Sequence, residues 1–302
     1  MVSKQSFNLL KKVFRNLYFL MFLNGFLLAS MFYFKMQASY EDGLFSSIEN
    51  SIDATVNADD TQDSVIMKAM NVCNYLMKNR AATFGDGSSL GVEADFFHPT
   101  SVDLMTTRGA CGSFSMVLAR ILQDYHFPVR IAQMKAYGYY GAHNIIEVKT
   151  TRSWVVLDPT FNISFTRPDG RLASFQDVKS DWNYYARQVP KGYNPHYRYE
   201  DVRYSNWTKI PIILPAIKKV LNLFIGVQKA NSFSMRTLFL RMYEIYLYLA
   251  LLLYIPILLL TSRVFVKTKV FPDRNIPLTF RNFIKYFRAF IAGRRLSNMQ
   301  GA

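Results

Sequence analysis

Three short stretches hold residue types that could do covalent chemistry together. They are Arg108-Gly-Ala-Cys111-Gly-Ser-Phe-Ser115, Gly141-Ala-His143-Asn-Ile-Ile-Glu-Val148 and Trp154-Val-Val-Leu-Asp158-Pro-Thr160. Gly109 and Gly112 let the backbone turn tightly around Cys111. The apolar period behind Ser113, through Phe114, Val117, Leu118, Ile121 and Leu122, predicts a helix over 113–125. A cysteine at such a helix start meets unpaired N–H groups and the positive end of the dipole, and both favour the thiolate. The same N–H groups suit a developing oxyanion. A nucleophile in that position needs a base, and the base needs an orienting carboxylate.

The elements must then bring a base and a carboxylate to Cys111. Three strand-like runs follow the helix, Val129–Met134, Asn144–Val148 and Trp154–Leu157, separated by turn residues that include Gly138, Gly141 and the Thr150–Ser153 stretch. His143 opens one expected strand and Asp158 closes the next. Pairing through the Thr150–Ser153 turn puts the two side by side at one sheet edge. A helix followed by successive short strands predicts an α+β domain with an antiparallel sheet.

In its order and spacing this pattern resembles the transglutaminase-like superfamily: a Cys at a helix start, a His on a strand about thirty residues later, and Asp-Pro-Thr closing a strand that Trp opens. The Leu122…Pro128-Val-Arg130 segment looks like the helix-to-strand connection of that family. The resemblance covers roughly residues 60–165, about a third of the chain. It implies a papain-like core, a helix packed on an antiparallel sheet, with Cys111 as nucleophile, His143 as general base and acid, and Asp158 as orienter. The activity it implies is hydrolysis or acyl transfer at an amide through a thioester, with no cofactor and no metal. A non-catalytic module that reuses the cleft to bind a peptide or cell-envelope polymer is the alternative.

Rival uses of these residues are plain. Cys111 can serve as a small buried hydrophobe, His143 as a satisfied core histidine, and Asp158 as a turn former before Pro159. A metal site from Cys111, His143 and Asp158 lacks a fourth ligand and the usual spacing. Cys73 and Cys111 are the only cysteines, so one disulfide is arithmetically open and would silence the thiol. His98, His126 and His196 read as surface loop residues.

The net charge of +15 suggests nucleic acid until it is mapped. Residues 1–35 carry five basic residues and no acid, and residues 263–302 carry nine against Asp273 alone, while 36–238 hold 21 basic and 19 acidic residues. The basicity flanks two uncharged runs, Leu17–Phe34 and Ile245–Leu260, each long enough to cross a bilayer. A signal peptide competes for the first run, but no small-x-small cleavage site follows it. A core helix competes for the second, which shows no polar face. The positive-inside bias then predicts cytoplasmic termini. The resulting organisation is a basic N-terminus (1–16), a span (17–35), an extracytoplasmic domain (36–240), a second span (241–264) and a basic tail (265–302). The domain's core lies near 60–165, with a Tyr-rich extension over 166–240. Expected partners are the bilayer and a peptide, protein or envelope-polymer substrate. Nucleic acid is excluded for the near-neutral domain.

Three further segments complete the reading. Asp63–Asn79 has the apolar spacing of a helix, and 84–100 reads as a Gly-, Asp- and Ser-rich loop. Tyr184, Tyr185, Tyr193, Tyr197, Tyr199 and Trp207 suit either a groove lining or the packing of loops. Pro215–Gln228 is amphipathic, with Ile217, Val220, Leu221, Phe224 and Val227 opposite Lys218, Lys219 and Asn222. Phe280, Phe283, Ile284, Phe287 and Ile291 recur at helical spacing in the tail.

Overall fold

The structure, a computed structural model, describes residues 16–85, 90–106 and 111–270. The basic N-terminus, the Arg108-Gly-Ala turn and the amphipathic pattern at 280–291 lie outside the described residues. The chain divides into two compact units, one of residues 1–35 with 246–302 and one of residues 36–245.

The first unit is built from the ends of two long helices, α1 (Leu17–Asp53) and the last helix of the chain, Met242–Phe265. Both are long and apolar enough to cross a membrane. Only 11% of the most apolar window of each is buried, which is not how a core helix behaves. Phe22, Phe32 and Leu252 all stand exposed. Inside this unit the Asn24 side-chain amide donates to Thr261 Oγ1 at 2.6 Å. Such bonds hold helices together where no hydrophobic drive exists.

The second unit contains one antiparallel sheet. Helices α2 (Gln62–Phe84), α3 (Val92–Phe97), α4 (Thr100–Met105) and α5 (Cys111–Asp124) precede it. Strands β1 (Val129–Ala136), β2 (Tyr139–Lys149), β3 (Trp154–Asp158), β4 (Ile163–Ser164) and β5 (Val202–Arg203) form it in the order β4-β3-β2-β1-β5. Then come α6 (Phe175–Ser180), α7 (Trp182–Tyr185), α8 (Ile213–Ile225), α9 (Val227–Asn231), α10 (Met235–Leu238) and α11, the helix Met242–Phe265.

Strand alternation splits the core in two. Ile131, Ile146, Val148, Val155 and Leu157 point to one face, where α2 and α5 pack through Ile66, Met70, Cys73, Leu118 and Ile121. Ala132, Met134, Ile145 and Val156 point to the other. There Phe165, Phe175, Tyr185, Tyr193 and Tyr199 cover them. The Tyr-rich stretch is therefore the second layer over the sheet, and its aromatic rings supply that layer's apolar area.

Several expected boundaries move. Segment 84–100 is not simply a loop, because α3 lies within it and α4 begins at its end. Here the Arg80 guanidinium donates to the Asp103 carbonyl at 2.7 Å, and Asp103 Oδ1 accepts from Ser113 Oγ at 2.6 Å. Both are tertiary contacts that no local period announces. His143 does not open β2: it is the fifth residue of that strand. The β1–β2 hairpin continues past a register shift, with Met134 opposite His143 and Lys135 opposite Tyr140. Gly141 and Ala142 are left as extra residues, and Gly141 takes φ +98°, which a side chain would resist. Finally, α5 closes with His126 at φ +61° and the Phe127 amide bonded to the Leu122 carbonyl, a left-handed stop that feeds Pro128 into β1.

Candidate functional site

Cys111 is the first residue of α5 and is half-buried. Its thiol is free, as is that of Cys73, which lies fully buried in the core with its pKa pushed up by burial. A disulfide between them is thus not formed. The start of α5 is tied down by Ser113 on Asp103 and by Ser115 Oγ, which donates to the Asn144 carbonyl at 3.3 Å.

His143 and Asp158 lie on the sheet face opposite α5, both almost without exposure. His143 Nε2 meets Asp158 Oδ2 at 2.7 Å. Asp158 Oδ2 also accepts from the Tyr193 hydroxyl at 3.1 Å, and Oδ1 accepts from the Thr160 amide at 3.2 Å. The Thr160 bond is the local turn expected of Asp-Pro-Thr, and Asn74 Nδ2 holds the Pro159 carbonyl at 2.9 Å. Three donors fix the carboxylate. With Nε2 engaged there, Nδ1 is the imidazole nitrogen left for Cys111. The Tyr197 ring stacks on His143 at 4.5 Å between centroids and 9° between planes, and Phe161 stands 5.7 Å away.

Burial pushes the Cys111 thiol up, but the neighbouring His143, with the Asn144 amides, outweighs it and holds the thiol below its ordinary range. Burial pushes His143 down, but its bond to Asp158 and the neighbouring Asp158 and Cys111 charges carry it up to about 9. The two shifts share a cause: each group favours the charged form of the other. The structure thus holds His143 on Asp158 across two adjacent strands, with Cys111, at the helix start, bonded to Asn144, the residue after His143.

Asn144, the next residue on β2, points to the α5 side. Its Nδ2 donates to Cys111 Sγ at 3.4 Å, and its Oδ1 accepts from Arg236 Nη1 at 2.6 Å. Arg236 sits on α10, which is pinned to β1 by Ser234. The Ser234 hydroxyl donates to the Ile131 carbonyl at 2.9 Å and accepts from the Ile131 amide at 3.2 Å. Burial lowers the Arg236 pKa, and the Cys111 charge opposes that.

Neither Asn144 nor Arg236 was expected from sequence. A polar residue inside the apolar run Asn144-Ile-Ile-Glu-Val148 was a signal for the first, and none existed for the second. Of the aromatics, Tyr193 and Tyr197 touch the site. Tyr199, fully buried, supports it through its hydroxyl 3.4 Å from that of Tyr193. His98, His126 and His196 are exposed. Among the described residues no cluster of three His, Cys, Asp or Glu suits a metal ion.

Comparison with family models, curated proteins and solved structures finds no match to this chain.

Proposed function

We propose that this protein is a membrane-tethered cysteine hydrolase or acyl-transferase of the transglutaminase-like, papain-like kind, acting on an amide outside the cytoplasm. One observation carries the reading. A free thiol with a lowered pKa stands at a helix start beside an imidazole that a buried, triply bonded carboxylate holds in place. A residue kept only for packing gains nothing from that arrangement.

In the proposed reaction His143 takes the Cys111 proton and the thiolate attacks the substrate carbonyl, forming the C–S bond. The Cys111 amide and Asn144 Nδ2 receive the oxyanion. Collapse breaks the C–N bond, and the leaving amine takes the proton from His143. Water or a second amine, deprotonated by His143, then attacks the thioester and releases Cys111 as thiolate. Asp158 stays ionised throughout and fixes the tautomer. The basic flanks beyond both apolar helices support cytoplasmic termini and an extracytoplasmic domain. The substrate class that fits is a peptide, protein or cell-envelope polymer.

A second reading rests on Tyr197. Its ring lies face to face on His143, a cover that also suits a cleft used only for binding. The full chain in proteoliposomes, mixed with p-nitrophenyl acetate, separates the two. An enzyme releases a burst of one nitrophenolate per chain, and Cys111→Ala abolishes it. No burst, or an equal burst from the variant, would favour the binding module.

A further inference from the structure

Helix α8 turns its apolar face outward. Ile213, Ile217, Val220 and Phe224 follow the spacing that places side chains on one stripe. In a water-soluble domain such a stripe faces the core. Here Leu214, about a quarter turn away, is the helix's one buried residue. Lys218, on the same flank, lies 6.0 Å from the Trp207 ring. The stripe itself is open: Ile213 is 57%, Val220 55% and Phe224 78% exposed. Ile212 and Val227 extend the patch at either end, also exposed. A continuous apolar patch of this kind marks an interaction surface.

Charge and chain connectivity identify what covers it. Between Asp201 and Glu244 the sequence has no acidic residue and seven basic ones, Lys218 and Lys219 among them. A two-fold contact with a second copy would bring these lysines near their own equivalents. An anionic lipid surface would attract them instead. The same chain carries two helices long and apolar enough to cross a bilayer, and only the short helices α9 and α10 and one 3-10 turn, Phe239–Arg241, separate the end of α8 from the start of α11 at Met242.

We propose that α8 is an interfacial helix, lying in the headgroup region of the bilayer to which the domain is tethered. Its apolar stripe faces the acyl chains, and Lys218 and Lys219 sit at the level of the phosphates. Thirteen residues give about 20 Å of helix, apolar along one stripe with lysines off it, the build of an interfacial helix. The inference rests on the reading of α1 and α11 as membrane spans, and its test contains a control for that reading.

Single cysteines are introduced by Phe224→Cys, Lys219→Cys and, as control, Phe26→Cys, in a full-length Cys111→Ser background where Cys73 stays buried. Each is spin-labelled in nanodiscs containing anionic lipid, and collision with oxygen is compared with collision with a water-soluble nickel chelate. The label at Phe224 is expected to favour oxygen several-fold over the label at Lys219, as the Phe26 label does. Equal chelate access at 224 and 219 overturns the proposal. A Phe224 label shielded from both reagents also overturns it, in favour of a protein partner. If the Phe26 label is itself open to the chelate, the membrane-spanning reading falls, and this inference with it.

Discussion

Arg236 Nη1 donates to Asn144 Oδ1 at 2.6 Å, and that bond decides which end of the Asn144 amide faces Cys111. Arginine has only donors, so it can bind only the oxygen. The NH₂ group must then point at Sγ, 3.4 Å away. A fixed donor beside the attacking sulfur is where a second oxyanion contact belongs.

Asn144→Ala is therefore expected to lower turnover of p-nitrophenyl acetate by about 10²- to 10³-fold, the usual cost of one oxyanion donor. Arg236→Met, which leaves the amide free to rotate, should cost less. Steady-state kinetics on both variants checks this, and KM should move little in either. Equal activity of Asn144→Ala and the parent would remove Asn144 from the site.

Tyr193→Phe deletes one of the three donors to Asp158 while the His143 and Thr160 bonds remain. It should cost about 1 kcal/mol of stability, the typical net value of a hydrogen bond, and reduce activity far less than Asp158→Asn. Thermal unfolding read beside the kinetics separates the two effects.

Arg120 ties the domain part of α1 to α5. Its guanidinium meets Asp42 at 2.5 Å and Asp124 at 2.8 Å, and lies over the Phe45 ring at 4.9 Å, all with almost no exposure of the arginine. Arg120→Ala removes one of the two guanidinium partners of Asp124, with Arg241 remaining. A loss of no more than about 3 kcal/mol is expected, the lower end for a broken buried pair, measurable by denaturant titration in detergent.

The membrane orientation has its own test. Lys191 is exposed in the extracytoplasmic domain as proposed. A cysteine introduced there, in a Cys111→Ser background, should react with a membrane-impermeant maleimide in intact cells or spheroplasts. Labelling only after permeabilisation would reverse the topology.

Much of this arrangement was legible in the sequence, and the rest was hidden for physical reasons. The start of α5 was readable because Gly112, Ser113 and the apolar period behind them are local signals. The three central strands and the antiparallel sheet followed from alternation and turn residues. The length of β2 did not, because Gly141 and Ala142 form an irregularity whose glycine looks like a turn. The helices α3 and α4 are short, and α4 is held by tertiary bonds from Arg80 and Ser113. The layer from Phe165 to Tyr199 shows no readable period because its helices α6 and α7 have only six and four residues and packed rings cover the rest. Arg236 reaches Asn144 across 92 positions, a distance that no local pattern bridges.

The rate of Cys111 alkylation by iodoacetamide, followed by mass spectrometry across pH in the parent and in His143→Ala, bears most directly on the proposed thiolate–imidazolium pair. In the parent, the thiol should react as thiolate well below the ordinary cysteine pKa of about 8.5, because His143 stays protonated up to about 9. The rate should hold on a plateau between the lowered thiol pKa and that value. Cys73, buried, should remain unmodified. In His143→Ala the Cys111 midpoint should rise toward the ordinary value and the neutral-pH rate should fall. A Cys111 that titrates near about 8.5 in both proteins, with equal rates at neutral pH, would contradict the activated nucleophile.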